Sequence, residues 1–185
     1  MKINQLNEII FAPNMFFKQN KANELWENVV PIYLFGVLAS AIAAFVGEVF
    51  WSEEFLWDYA LGKLIRIFVA DVMTWLIGGL LIKKLLLNFG ATLGKAEVAS
   101  LLAIALLPSV CISVIVNILP ILSPLSFAGL YGLYLFYVGA THYFQIPKEK
   151  ESKAVLLSIV LIILVSGLMY WLTWTIFNEI FNYGI

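Results

Sequence analysis

Five long apolar segments follow one another along the chain, and short polar stretches separate them. The segments cover residues 29–50, 64–82, 98–118, 125–144 and 154–177. An apolar helix of about 20 residues crosses the hydrocarbon part of a bilayer. The pattern therefore predicts an all-α, polytopic membrane protein built as a bundle of five transmembrane helices. A four-crossing version, in which one segment lies flat, is the main alternative. A buried soluble helical protein would not need five such segments.

The charged residues divide the loops into two kinds. Nine of the eleven lysines and arginines fall in three short stretches, which are Lys2/Lys18/Lys21, Lys83/Lys84/Lys95 and Lys148/Lys150/Lys153. The loop after the first apolar segment is acidic instead, with Glu48, Glu53, Glu54 and Asp58 around it. Because cationic loops stay on the cytoplasmic side of a membrane, we predict a cytoplasmic amino terminus and a carboxyl terminus outside.

Composition agrees with a membrane protein and narrows the chemistry. Hydrophobic residues make up 62% and charged residues 12%, against roughly 45–50% and about 25% in soluble domains. A net charge of −1 gives no basic surface for nucleic acid. Cys111, the only cysteine, excludes an internal disulfide and a CxxC site. No catalytic or nucleotide-binding motif occurs, so we expect no enzyme, cofactor or metal site.

The chain divides into an amino-terminal segment, residues 1–28, and a transmembrane domain, residues 29–185. We expect no cleaved signal peptide, since the first span can act as its own insertion signal. One helical face of the amino-terminal segment is apolar and is followed by two aromatic residues, the set being Ile3, Leu6, Ile9, Ile10, Phe16 and Phe17. Such a segment lies in the membrane plane or folds back onto the bundle, and the sequence supports both equally.

Small residues mark two surfaces for close helix packing. Gly36, Ser40 and Ala44 recur every four residues in the first span, and Gly129, Gly132 and Gly139 share a surface of the fourth span with Tyr131, Tyr134 and Tyr137. Contact within the subunit is the preferred interpretation, and a homo-oligomer is the alternative. Pro108 is expected to kink the third span. The proline-rich residues 119–124 predict a tight hairpin, which makes spans three and four antiparallel neighbours.

Several short motifs occur in a familiar order. They are Phe89-Gly90, Gly94-Lys95, Leu107-Pro108, LYGLYLFYVG at residues 130–139 and IPKEK at residues 146–150. In these motifs the chain resembles the Yip domain family, with Pro108, Tyr131, Tyr134, Pro147 and Lys150 at the family-like positions. The resemblance implies a five-span α-helical integral membrane protein, and it looks like a prokaryotic member in the plasma (inner) membrane.

Eukaryotic members of that family are associated with small GTPases, vesicle traffic and membrane shaping. They carry an acidic D-L-Y-G-P motif before the first span, whereas residues 27–31 of this chain read ENVVP and keep only Pro31. GTPase binding is therefore not carried over to this chain.

Charges within the apolar segments are the clearest candidates for a site, because a charge at the bilayer centre costs at least about 2.5–3.5 kcal/mol. Asp71 is predicted about 10 Å from the outer end of the second span. We predict an outer-half polar cluster of Glu48, Arg66, Asp71 and Asn117. The preferred interpretation is a charge network that clamps three helices, and the alternative is a path for an ion, proton or lipid headgroup. His142, the only histidine, is expected at the interface rather than as a ligand.

These observations lead to one main hypothesis. The chain is predicted to be a non-enzymatic, Yip-like membrane protein that organises membrane lipids or partner proteins, with the bilayer, a second copy and unidentified membrane proteins as partners. A small transporter or channel using the polar cluster around Asp71 is the first alternative. An enzyme acting on a lipid is a weaker one, since no catalytic set is visible. The inner lysines are expected to give only a weak preference for anionic lipid.

Overall fold

A computed structural model of the chain describes residues 7–9, 11–20, 22–92 and 94–181. Five helical segments in it are long and apolar enough to cross a membrane, which confirms the predicted all-α fold with five spans. The helices are α1 (Pro13–Gln19), α2 (Ala22–Trp51), α3 (Trp57–Asn88), α4 (Lys95–Ile118), α5 (Tyr131–Tyr143) and α6 (Lys148–Phe181). A 3-10 helix, Pro120–Leu130, continues into α5 and completes the fourth span.

Most helices are longer than the apolar segments that predicted them. The 32 residues of α3 extend for about 48 Å at the usual helical rise, whereas the hydrocarbon layer is about 30 Å thick. Hydropathy marks only the part of a helix that needs lipid. The polar ends continue the backbone hydrogen bonding into the interface, so α2 begins at Ala22 and α6 at Lys148.

The helix directions follow from their contacts. Along the contact between α2 and α4, the residue numbers of both helices increase in the same direction. Gly36 lies beside Val110, and further along Trp51 Nε1 donates to the Ile118 carbonyl at 2.7 Å. These helices therefore run parallel. Contacts between α3 and α6 run in opposite directions, as Gly78 lies beside Val165 and Arg66 beside Trp174. Spans that cross a membrane in alternating directions would have these orientations, because the first and third spans are parallel and the second and fifth are antiparallel.

Helix α4 lies at the centre of the bundle. Residues 100–105 are all buried, and a helix that is buried on every side must be surrounded by other elements. α4 continues as one helix through Pro108. The 3-10 helix and α5 return along it, with Gly129 beside Ser109 and Gly139 beside Leu101. The predicted antiparallel packing of spans three and four is therefore confirmed.

The loops after α3 and after α5 meet at one end of the bundle. An isolated antiparallel β-bridge pairs Thr92 with Gln145, and the Thr92 hydroxyl lies 3.3 Å from Gln145 Oε1. The Trp51–Ile118 hydrogen bond lies at the opposite end. The lysine-rich stretches on either side of these two loops thus share one end. Which end faces the cytoplasm stays a prediction.

The amino-terminal segment packs along α5. Tyr143 donates to the Asn20 carbonyl at 2.8 Å, Gly139 lies beside the Phe17 ring, and Tyr131 donates to the Ile9 carbonyl at 3.4 Å. Ile9, Phe16 and Phe17 are buried, which matches the alternative in which the segment folds back onto the bundle rather than the one in which it lies in the membrane plane. Ile3, Leu6 and Ile10 lie outside the described residues.

Candidate functional site

A buried carboxylate links three helices in the interior of the bundle. Asp71 of α3 is 8% exposed. Its Oδ1 accepts a hydrogen bond from the Tyr170 hydroxyl of α6 at 2.8 Å. Its backbone carbonyl accepts another from the Tyr33 hydroxyl of α2 at 3.0 Å. The residue therefore joins α2, α3 and α6, and both partners are tyrosine hydroxyls.

Two lysines show how deep this carboxylate lies along α3. Lys63 precedes Asp71 by eight residues and Lys83 follows it by twelve, which corresponds to about 12 Å and about 18 Å of helix. Together these lengths equal the hydrocarbon thickness of about 30 Å. Asp71 therefore lies close to the middle of the stretch that the two lysines bound.

A cavity of about 190 Å³ opens beside Asp71. Six of the nine residues that line it carry a hydroxyl group, namely Tyr33, Thr74, Ser109, Ser113, Ser166 and Tyr170. Asp71 Oδ2 and Thr74 Oγ1 are buried and have no hydrogen-bond partner within the described part of the chain. Buried polar groups normally have a partner, and a polar cavity of this size has room for several water molecules. The cavity is therefore suited to a small hydrophilic solute or to water.

The spacing of its polar residues explains why the cavity is polar on several sides. Asp71 and Thr74 are three apart on α3, Ser109 and Ser113 four apart on α4, and Ser166 and Tyr170 four apart on α6. Residues three or four apart share one face of a helix. This spacing was the available signal in the sequence. Tyr33, Thr74, Ser166 and Tyr170 were nevertheless missed as site residues.

The four residues of the predicted polar cluster take part in separate contacts. The carboxylate of Glu48 accepts from Lys63 Nζ at 2.8 Å in a partly exposed salt bridge. Arg66 places its guanidinium 4.7 Å from the centre of the Trp174 ring. Neither contact includes Asp71, whose side chain bonds to Tyr170. At this end of α2 and α3, Glu48 therefore pairs with Lys63, and Arg66 pairs with an aromatic ring instead of a carboxylate.

Asn117 belongs to a polar contact between α2 and α4. Its Nδ2 donates to Ser113 Oγ at 3.1 Å and to the Ser40 carbonyl at 3.4 Å. The Ser40 hydroxyl donates in turn to Ser113 Oγ at 2.8 Å. Ser113 also lines the Asp71 cavity. Asn117 is therefore connected to the cavity through its hydrogen bond to Ser113.

The small residues predicted for packing make contacts within the subunit. A Cβ at Gly36 would lie 3.1 Å from Val110 Cγ1, Ser40 bonds to Ser113, and Ala44 is fully buried. Gly47 continues this surface of α2, since a Cβ there would collide with the Asn117 carbonyl oxygen. The close approach of α2 to α4 is therefore longer than the four-residue repeat predicted.

The chain matches the Yip1 domain over residues 7–175. The chain belongs to the Yip1 domain family. The match includes every span and most of the amino-terminal segment of this Yip1 domain. No match was found among curated proteins or among solved structures.

The residues that carried the family resemblance lie in the turns and helix contacts of the Yip1 domain. Pro108 is inside α4, and the Tyr131 and Tyr134 rings at the start of α5 are 5.6 Å apart. Pro147 precedes α6, where its carbonyl accepts from the Lys150 amide at 2.8 Å. None of these five residues is in the lining of the Asp71 cavity.

Proposed function

We propose that this Yip-family protein has a non-enzymatic role in which it organises membrane lipids or partner proteins. It is a prokaryotic protein of the plasma (inner) membrane, with its amino terminus in the cytoplasm and its carboxyl terminus outside. It acts as a homo-oligomer or together with other membrane proteins. Family membership and the distribution of lysines support this proposal.

The open face of α6 is the observation that carries the proposal. Only 22% of the most apolar part of this span is buried. Leu156 and Leu164 are 62% and 63% exposed, whereas Ile162 on the opposite face is 3% exposed. A large apolar surface that the chain itself does not cover is available to lipid or to another protein. Helix α6 therefore offers the bundle its broadest contact with a partner.

Photo-crosslinking from α6 tests this role. We expect a benzophenone side chain at position 164 to capture a second copy of the chain, or one lipid class above its share in the membrane. The same group at position 162 is the control, because Ile162 faces the core and is expected to give adducts only within the chain. Lipid adducts from position 164 in bulk proportions, with no protein adduct, would argue against an organising role.

Transport of a small hydrophilic solute is a second candidate, and the Asp71 cavity favours it. Asp71 lines this cavity of about 190 Å³, and its Oδ2 has no hydrogen-bond partner among the residues that the structure describes. Proton and cation uptake into proteoliposomes tests this function. A transporter is expected to lose its flux in Asp71→Asn, whereas equal flux through both proteins and through empty vesicles would leave the carboxylate a structural role.

A further inference from the structure

An apolar groove of about 430 Å³ lies on the outside of the bundle, near the lysine end of α3. Helices α2, α3 and α4 form it, and its lining residues are Trp26, Trp75, Leu76, Gly79, Leu80, Lys83, Ala96 and Ala99. Its volume is within the range of roughly 300–1,000 Å³ that small-molecule sites occupy. Lys83 is the one charged residue in this lining.

Small residues and a fixed aromatic pair give the groove its shape. Gly79, Ala96 and Ala99 leave the space open, and a Cβ at Gly79 would meet only a Leu102 methyl, at 3.9 Å. The rings of Trp26 and Trp75 stack with their centroids 6.1 Å apart. Trp75 Nε1 donates to the Ala99 carbonyl at 2.9 Å, so the inner ring is held in place. The groove is therefore formed by groups that do not need to move.

The charge at its end distinguishes this groove from other apolar surfaces of the bundle. Lys83 is half-buried, and within the described parts of the chain no carboxylate lies at salt-bridge distance from it. The nearest acidic group on α4, Glu97, accepts a hydrogen bond from the Gly94 amide at 3.0 Å. Lys84, the next residue, is exposed and does not line the groove. Among the described residues, Lys83 thus has no ion-pair partner, and its ammonium lies at the end of an apolar groove with an aromatic wall.

We propose that this groove binds an anionic phospholipid, with one acyl chain along Leu76, Gly79 and Leu80 and the phosphate at Lys83. The groove lies on a membrane-spanning part of α3, where acyl chains are the surrounding solvent. Lys83 and Leu76 are seven residues apart, or about 10 Å along the helix, so the cation meets the headgroup while the groove holds the upper acyl chain. Tryptophan and lysine are the residues that suit this depth.

The lysine end is also the end that we predict to be cytoplasmic, where anionic lipids are enriched. The groove would specify which class of lipid the protein organises. In that respect this inference rests on the proposed organising function. Because α2, α3 and α4 form the groove, its failure as a site would leave the contacts of α6 unchanged. The two proposals can therefore fail separately.

Tryptophan fluorescence measures occupancy directly, since Trp26 and Trp75 line the groove. The protein, with Trp51, Trp57, Trp171 and Trp174 replaced by phenylalanine, is placed in vesicles of phosphatidylcholine. Phosphatidylglycerol or phosphatidylcholine with brominated acyl chains is then added as quencher. We expect phosphatidylglycerol to occupy the groove about fivefold more strongly, the ratio expected from one lysine at a membrane surface. Equal quenching by the two lipids would overturn the proposal.

Two pairs of variants separate the groove from general effects. Lys83→Gln is expected to bring the ratio close to one, and Lys84→Gln, its exposed neighbour, to leave it unchanged. Gly79→Leu fills the groove and is expected to remove most of the quenching by either lipid. Gly167→Leu, at a glycine with open space around it, is the matched control and is expected to retain the quenching. An equal loss in both lysine variants would mean a diffuse surface charge and would also refute the site.

A second measurement covers the case in which the tryptophan replacements prevent folding. The chain with all its tryptophans is purified in mild detergent from membranes containing both lipids, and the retained phospholipid is identified by mass spectrometry. We expect phosphatidylglycerol to be retained by the parent protein and by Gly167→Leu, and to be lost from Gly79→Leu. Retention of the same amount by Gly79→Leu would contradict the proposal.

Discussion

Gly132→Ala is expected to lower the free energy of unfolding by about 3 kcal/mol, the upper end of the range for overpacking. A Cβ at this position would collide with the backbone carbonyl oxygen of Ala105 in α4. A side chain could rotate away from such a contact, but a backbone carbonyl in a helix is held by its own hydrogen bonds. The methyl group must therefore push α5 away from the central helix.

The control variant is expected to change the stability in the opposite direction. At Gly167 of α6, no other described element comes within 4 Å of the position that an added methyl group would take. Gly167→Ala should thus stabilise the protein by about 0.4–1 kcal/mol through the unfolded state. Thermal unfolding of both variants in the same detergent measures the difference. Equal stability of Gly132→Ala and the parent protein would show that α5 does not pack on α4 as described.

Asp71→Asn is expected to keep the stability of the parent protein or raise it, by as much as about 2.5–3.5 kcal/mol if the carboxylate is charged. Asparagine retains an oxygen that can accept from the Tyr170 hydroxyl. It removes a charge for which the described residues provide no cation in contact, because Arg66 lies over Trp174 and Lys63 bonds to Glu48. The hydrogen bond, rather than the charge, is then what links α3 to α6.

Tyr170→Phe is the matched variant, because it keeps the ring and removes the donor to Asp71 Oδ1. A hydrogen bond to a charged group contributes about 1.5–3 kcal/mol, and we expect a loss of that size. Thermal unfolding of the two variants measures both effects. If Asp71→Asn loses as much stability as Tyr170→Phe, the charge itself is part of the clamp. If stability is kept while uptake is lost, the carboxylate serves transport.

The number of spans could be predicted because lipid imposes a minimum length of apolar helix on every crossing. The ends of the helices could not, since residues 57–63 of α3 are polar enough to lie in the interface and still form helix. Residues 120–130 were predicted as a hairpin followed by a span, whereas they form a 3-10 helix. Proline at positions 120 and 124 explains the hairpin prediction but does not specify the helix type.

The candidate site could be predicted only in part. Asp71 was identified because a carboxylate in an apolar segment is conspicuous, but its partners Tyr33 and Tyr170 are 38 and 99 residues away in sequence. Such pairs depend on which helices are neighbours, and hydropathy does not contain that information. Arg66 was predicted to belong to the same outer-half polar cluster as Asp71. In the structure the Arg66 guanidinium lies over the Trp174 ring, a contact that cation–π attraction makes favourable.

Cysteine accessibility tests the arrangement on which these proposals depend. Cys111→Ala removes the only cysteine, and single cysteines are then placed at the exposed positions 54, 92 and 152. A membrane-impermeant maleimide added to intact cells is expected to label position 54 alone, and to label positions 92 and 152 only after permeabilisation. Labelling of positions 92 and 152 from opposite sides would contradict the account.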